Sequence, residues 1–202
     1  MAERAKAKRT EADLKAAARR LLTQTGYAEI RITDIAAEAG KAVGSFYRYF
    51  EDKDDLLRSL ADDFKETLRS RVVQQVGHEH TMVTAANVRH HVQAFWDTYR
   101  EHLPEMVGLF QASMLNEDFR RLHGELRDRQ VRTWARHLRE TPLAASRTSG
   151  QARTLALAVV CMLEYFCYTR LAEQSGPVRE GEVVELLSEL LAGGLLGTTP
   201  SH

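Results

Sequence analysis

Eight histidines (78, 80, 90, 91, 102, 123, 137 and 202) and two cysteines, Cys161 and Cys167, are the side chains here best suited to metal or redox chemistry. Their spacing argues against both. None of the histidines falls in an HExxH arrangement, the spacing that puts two imidazoles on one helix face. His78, Glu79 and His80, or His90 and His91, would need a facing helix to complete a ligand set, because neighbours in a helix point in different directions. The ordinary reading is of exposed histidines near a helix junction. Cys161 and Cys167 lie about 600° of helical rotation apart, and each is expected to be a small core residue. No general acid–base pair or activated nucleophile emerges, so no enzymatic activity, metal or cofactor is expected.

The stretch from Lys41 to Lys53 offers a different chemistry. Ala42, Val43, Gly44 and Ser45 are small enough for the start of a helix to approach base edges closely. A serine hydroxyl donates and accepts, and Val43 or Ala42 suits a thymine methyl in the major groove. Lys41 and Arg48 flank them with positive charge. Tyr47 and Tyr49 bring hydroxyls that can reach phosphate, as can the Lys53 ammonium. The basic residues that open the chain could lie along the backbone or enter a minor groove. Against this, Phe46 and one of the tyrosines suit a core, and scattered Lys and Arg often form ordinary solvated surface.

Apolar residues recur three or four apart almost throughout, with no sustained alternation, so the expected fold is all-α. A first helix is expected over about Thr10–Thr25, with Leu14, Ala17, Ala18, Leu21 and Leu22 on one face and Gly26 at its end. A second spans Thr33–Ala39, with Thr33 as N-cap and Ala36 where a capping box would want Glu or Gln. Gly40 suits the following turn, and Val43–Tyr49 makes a third short helix. Two short helices joined in this way have the form of a helix-turn-helix, whose second helix enters a major groove. Asp52 is expected to cap a long fourth helix, with Asp55 in its first turn and an inner stripe running from Leu56 and Leu57 through Leu60, Phe64, Leu68 and Val72 to Val76. Five more helices follow near 83–102, 105–115, 118–139, 150–174 and 181–196, parted at Pro104, Pro142 and Ser175-Gly176-Pro177.

The 202 residues carry 28 Lys plus Arg against 28 Asp plus Glu, a formal charge of zero. Distribution matters more than the sum. Up to residue 50, ten basic residues face six acidic ones, giving +4 and leaving −4 for the remainder. A basic head on an acidic body would meet DNA head down. The length holds one head, placed at 1–52, and one larger helical body at 53–202. Two cysteines make no disulfide framework. No apolar h-region opens the chain, and no uncharged apolar run reaches ~18 residues, so a cytoplasmic protein without a membrane span is expected.

From Leu14 to Leu57 the sequence resembles the DNA-binding domain of the TetR family of bacterial transcriptional regulators. The resemblance rests on Ala16-Ala17-Ala18-Arg19-Arg20-Leu21-Leu22, Gly26-Tyr27 and Thr33-Asp34-Ile35-Ala36-Ala37-Glu38-Ala39-Gly40. It continues through Val43-Gly44-Ser45-Phe46-Tyr47-Arg48-Tyr49-Phe50 and Asp52-Lys53-Asp54-Asp55-Leu56-Leu57. It implies an N-terminal three-helix helix-turn-helix domain followed by a helical ligand-binding and dimerisation domain. It also implies Thr33 as the helix-two N-cap that meets phosphate, Tyr47 and Lys53 as phosphate contacts, and positions 42 to 45 with 48 as the base-reading surface. Lys41 and Ala42 depart from the family pattern of valine followed by serine or threonine. Ala42 cannot cap the recognition helix, a loss of about 1 kcal/mol, and Lys41 adds charge without sequence information.

In the body, Phe95, Trp96, Tyr99, Met106, Phe110, Met114, Trp134, Met162 and Phe166 are the expected lining of an apolar effector pocket, although such residues also fill ordinary cores. Glu164 and Asn116 are polar anchors if they point inward. Leu155–Leu163 is continuously apolar, which implies burial on nearly every side. Helix nine adds Val183, Val184, Leu186, Leu187, Leu190 and Leu191. Pairing of the two C-terminal helices across a two-fold axis makes a four-helix bundle, the homodimer that the family resemblance implies. The expected partners are therefore a double-stranded DNA operator, a small-molecule effector and a second copy of the chain. The leading reading is a repressor that a small apolar or aromatic effector releases from a palindromic operator. The competing readings are a helical small-molecule binding or sequestering protein without specific DNA recognition, and an enzyme built in the body.

Overall fold

The computed structural model describes residues 2–76, 84–141, 147–173 and 179–196. Gly77, His78, His80, Pro142, the Ser175-Gly176-Pro177 turn and His202 lie outside them, with the expectations placed there. Among the described residues all regular structure is helical: α1 (Ala2–Leu22), α2 (Ile32–Glu38), α3 (Val43–Phe46), α4 (Lys53–Val76), α5 (Ala85–Glu101), α6 (Leu103–Leu115), α7 (Glu117–Leu138), α8 (Ser149–Cys167) and α9 (Glu180–Leu196). A π-helical turn, Tyr168–Ala172, continues α8.

Several boundaries differ from the sequence expectation, each for a local reason. α1 begins at Ala2, since the Ala, Glu, Arg and Lys residues ahead of Thr10 are strong helix formers. Thr33 is not an N-cap. Arg31, with extended backbone at φ −111° and ψ 154°, holds that position, and Thr33 lies in the first turn. The N3 residue is therefore Asp34, whose Oδ2 accepts from the Arg31 backbone N–H at 3.1 Å. A guanidinium has no acceptor with which to return the bond. α3 ends at Phe46, which leaves Tyr47, Arg48 and Tyr49 in the following turn. Ala42 stands at its N-cap and makes no side-chain capping bond.

Other signals hold. Gly40 takes φ +65°, the left-handed turn that a β-carbon would strain, and the Lys41 N–H reaches back to the Ala36 carbonyl at 2.9 Å. Asp52 caps α4 by accepting from the Asp55 N–H at 2.7 Å. Pro104 sits in the first turn of α6, where its missing N–H costs nothing.

The chain divides into two compact units, Met1–Phe64 with His102–His123, and Lys65–Glu101 with Gly124–His202. The first takes in the start of α4 and all of α6, and so extends past the boundary drawn at residue 52. Its core joins Leu14, Ala17 and Ala18 of α1 to Ile35, Phe46, Leu56, Leu57, Leu60 and Phe64, all buried. Leu109 and Phe119 complete it from α6 and α7.

In the second unit α5 packs chiefly on α9 and also on α8. Val88 and Val92 are buried, as are Val183, Val184, Leu187 and Leu191. Contrary to expectation, α8 is not enclosed. It buries Ala152, Ala156, Val159, Val160, Leu163 and Cys167 and leaves Leu157, Cys161 and Tyr165 exposed. Cys161 is therefore no core residue. By length and composition, Ser149–Ala172 could cross a membrane, with a mean hydropathy of 1.5, although no uncharged run in the sequence suggests it. His91, His102 and His137 are buried rather than exposed. The rings of His91 and His137 lie 5.3 Å apart, and Trp134 meets His91 edge-on.

Candidate nucleic-acid interface

The outer surface of the α2–α3 pair is built from small and basic residues. Ala42, Val43, Gly44, Tyr47 and Arg48 are exposed, and Ser45 is half-buried. Phe46 fixes this surface from below. It is fully buried, with the Phe50 ring 5.6 Å away and Tyr47 edge-on at 5.7 Å. Tyr47 itself is 58% exposed, so its hydroxyl faces solvent rather than filling the core. A β-carbon at Gly44 would meet no atom within 4 Å, so packing does not require glycine there. Thr33 is exposed in the first turn of α2, where backbone N–H groups are open to an anion. Arg31 precedes it, also exposed.

Two expected DNA contacts are otherwise engaged. Lys53 donates to the carbonyls of Tyr27 (3.1 Å), Ala28 (3.2 Å) and Ile30 (3.2 Å), and stands 4.7 Å from the centre of the Tyr27 ring. Three acceptors occupy all three ammonium hydrogens. Lys53 thus ties down the turn before α2 and does not offer an open ammonium to phosphate. The same turn is held by Tyr27, whose hydroxyl donates to Asp54 and whose ring meets Phe119 edge-on. Burial, then that carboxylate, pushes the Tyr27 phenol well above its ordinary range. Lys41 pairs with Asp13 of α1 at 2.9 Å, and its hydrogen bond holds that carboxyl below the usual carboxylate value.

The basic character of the head is therefore divided. Lys15, Arg19, Arg20 and Lys41 all face carboxylates within the first unit. Lys6, Lys8, Arg9, Arg31 and Arg48 are exposed. Arg31 stands beside α2 because it, rather than Thr33, is the N-cap of that helix.

The expected pocket residues are divided between the two units. Met106, Phe110 and Met114 belong to α6 in the first unit, where Met106 is buried and Met114 is 67% exposed. Phe95, Trp96, Tyr99, Trp134, Met162 and Phe166 belong to the second unit. There Trp96 lies 6.4 Å from Phe166, and Phe95 lies 5.9 Å from Tyr99. Glu164 does point inward, with its side chain 12% exposed and its Oε2 accepting from Arg127 Nε at 2.7 Å. Burial raises its carboxyl pKa, and Arg127 opposes the rise. The Tyr99 phenol is also pushed up, by burial and by the neighbouring Cys167 and Glu164. Arg127 was not foreseen, since its partner is 37 residues away. Asn116 is a cap instead of an anchor: its Oδ1 accepts from the Asp118 N–H at 2.8 Å. An open groove of ≈ 230 Å³ between α5 and α9 is lined by Ala85, Ala86, Arg89, Glu185, Ser188, Glu189 and Ala192, none of them among the expected residues.

Residues 14–60 match the sequence model of the bacterial regulatory proteins of the tetR family. The HTH-type transcriptional regulator EthR of Mycolicibacterium smegmatis is 26% identical over 191 residues, which cover 94% of this chain and 88% of that protein. Among solved structures, the fatty acid degradation regulator FadR from Bacillus halodurans superposes with a TM-score of 0.73 at 18% identity, covering 92% of this chain and 95% of the other. A TetR-family transcriptional regulator from Bordetella parapertussis 12822 gives 0.72 at 18% identity, covering 95% and 98%. At such identities the superpositions establish the fold, while the helix-turn-helix residues are matched by the family model itself. Residues 14–60 of the chain therefore carry the helix-turn-helix domain described for bacterial regulatory proteins of the tetR family.

Proposed function

We propose that this ligand-responsive regulator is a cytoplasmic repressor that binds a palindromic operator as a homodimer and is released by a small apolar or aromatic effector. The observation that carries the DNA reading is the solvent-facing row of Val43, Gly44, Tyr47 and Arg48 over a buried Phe46. Small residues there let the backbone approach base edges. Ser45 and Arg48 are assigned to base reading, and Tyr47, Thr33 and Arg31 to phosphate. Two heads related by a two-fold axis would meet half-sites about 34–36 Å apart. The outward apolar residues of α8 and α9 support dimerisation through those helices. The aromatic cluster of the second unit, with the inward Arg127–Glu164 pair, supports an effector site there.

The test is selection of bound sequences from random duplex DNA at two salt concentrations. A two-fold-related motif is the expected product. Weak retention that disappears with salt, and without any motif, would refute specific recognition and leave a small-molecule binding protein. Tyr47→Phe should weaken binding to every selected sequence, whereas Ser45→Ala or Arg48→Ala should shift base preference. Unaltered affinity and preference in all three would remove the reading surface from α3.

A further inference from the structure

Inside the first unit, α6 is pinned along α1 and the turn that follows it by three contacts in register. The first is ionic: Arg19 Nε donates to Glu105 Oε1 at 2.9 Å. Three residues further along each helix, Gly108 lies so close to Leu22 that a β-carbon would come within 2.8 Å of its Cδ2. Beyond that, Gln111 Oε1 accepts from the Tyr27 N–H at 2.9 Å.

The ionic contact is unlike the other two. Glu105 has no exposed side-chain surface. Its Oε1 is shared by Arg19 and by His102 Nδ1, 2.6 Å away, while its Oε2 is buried and has no hydrogen-bond partner. The other arm of Arg19 reaches Asp63 Oδ2 on α4 at 3.0 Å, and Lys15, one turn back on α1, holds the second oxygen of Asp63 at 2.9 Å. One guanidinium thus joins three helices. Arg20, the next residue, takes a different direction and pairs with Glu38 of α2.

Burying such charges is costly, and well-packed apolar side chains in their place are often as stable or more so. What the fork supplies instead is direction. Two bonds from one rigid plane fix both the rotation and the sliding of α1 against its neighbours, whereas an apolar contact tolerates slip. We propose that Arg19 and Glu105 are positioning residues for DNA binding: the pair holds α1, and with it the α2–α3 reading surface, in the orientation that fits DNA. The proposal rests on the DNA-binding reading above. A head freed from this joint occupies the competent orientation only part of the time, and its apparent affinity falls by that fraction.

The test uses the full-length protein and the duplex sequence that the wild type selects. In an Arg19→Met/Glu105→Met double variant the joint is replaced by apolar side chains of similar length. We expect an unchanged or raised thermal midpoint, and affinity for the selected duplex reduced about tenfold, as when one orientation in ten is competent. Glu105→Gln keeps the shape and an acceptor, and serves if the double variant does not fold. It should lose about threefold in affinity, a third of orientations remaining competent, with the midpoint held. Glu105→Asp, which keeps the charge on a side chain too short for the same reach, should also bind the selected duplex more weakly than the native protein, with the midpoint held. Wild-type affinity in a folded double variant would overturn the proposal, as would a loss of affinity that merely follows a fall in thermal midpoint. A wild type that selects no sequence is a separate failure, of the DNA reading itself, and takes this inference with it.

Discussion

Two glycines near the proposed reading surface are there for opposite reasons. Gly40 has φ +65°, a conformation that costs a residue with a β-carbon about 1–2 kcal/mol. Gly40→Ala should therefore lower unfolding free energy by roughly 1 kcal/mol in denaturant titrations. Gly44 has open space around it and a helical backbone. Gly44→Ala should leave stability unchanged or raise it by up to about 1 kcal/mol, yet weaken DNA binding by occupying the approach to the bases. Native affinity in that variant would show that Gly44 does not face DNA. A third residue gives a pH signature. Burial raises the Glu164 carboxyl above its ordinary value of 4.5, with Arg127 pulling the other way. The folded state then retains a proton that the unfolded chain has lost. This contribution is fully present below the unfolded value of 4.5 and is lost as pH rises through the folded one. Glu164→Gln should flatten the fall in thermal midpoint over that weakly acid window. Parallel midpoint–pH curves for variant and wild type would show that this carboxyl does not titrate in it.

At the scale of elements, legibility follows sequence distance. Asp52, Gly40 and Pro104 act on backbone groups within four residues of themselves, so their types announce their roles. Thr33 has the side chain of a capping residue, but the Asp34 carboxylate accepts from the Arg31 N–H and sets the N-cap two residues earlier, at Arg31. The acceptors of Lys53 lie 23 to 26 residues upstream, and Glu105 lies 86 residues from Arg19, separations at which no spacing rule applies. The apolar stripe of α8 was legible as apolar, but its covered and open sides follow only from which helices pack against it. The helix contacts themselves can be tested at two glycines. Gly108→Ala would place a β-carbon 2.8 Å from the end of the flexible Leu22 side chain. That overpacking should cost about 1 kcal/mol, the lower end for such substitutions because a side-chain tip can move, and should cancel the roughly 0.5–1 kcal/mol that alanine gains over glycine inside a helix. Gly124→Ala on α7 meets nothing within 4 Å and should gain roughly 0.5–1 kcal/mol from helix propensity. A raised denaturation midpoint for Gly124→Ala, with little change or a small fall for Gly108→Ala, is the expected readout. Stabilisation by both would mean that α6 does not approach α1 so closely.

For the whole molecule, the outstanding feature is apolar surface left open on the two C-terminal helices. Leu157, Cys161 and Tyr165 recur every fourth residue along α8, and Leu186 and Leu190 do so along α9. Rows at that spacing are the ridges by which helices interdigitate. Tyr165, Leu186 and Leu190 are each more than half exposed, at 64%, 54% and 62%. A membrane could cover the α8 row, given the length and composition of Ser149–Ala172. In the homodimer proposed above, a second copy would pack on these rows and would supply the paired heads that a palindrome requires. Leu186→Glu/Leu190→Glu places two charges where the two-fold pairing would bury them. Because both positions are open to water in the single chain, helicity should persist while sedimentation shows a monomer. The monomer keeps its own reading surface but loses the linkage between two half-site contacts, which is worth about 10²–10⁴ in affinity where geometry permits both. Binding to the full palindrome should then fall toward that of an isolated half-site, with base preference retained. A variant that remains dimeric would place the interface elsewhere, and a monomer with undiminished affinity would detach operator recognition from dimerisation.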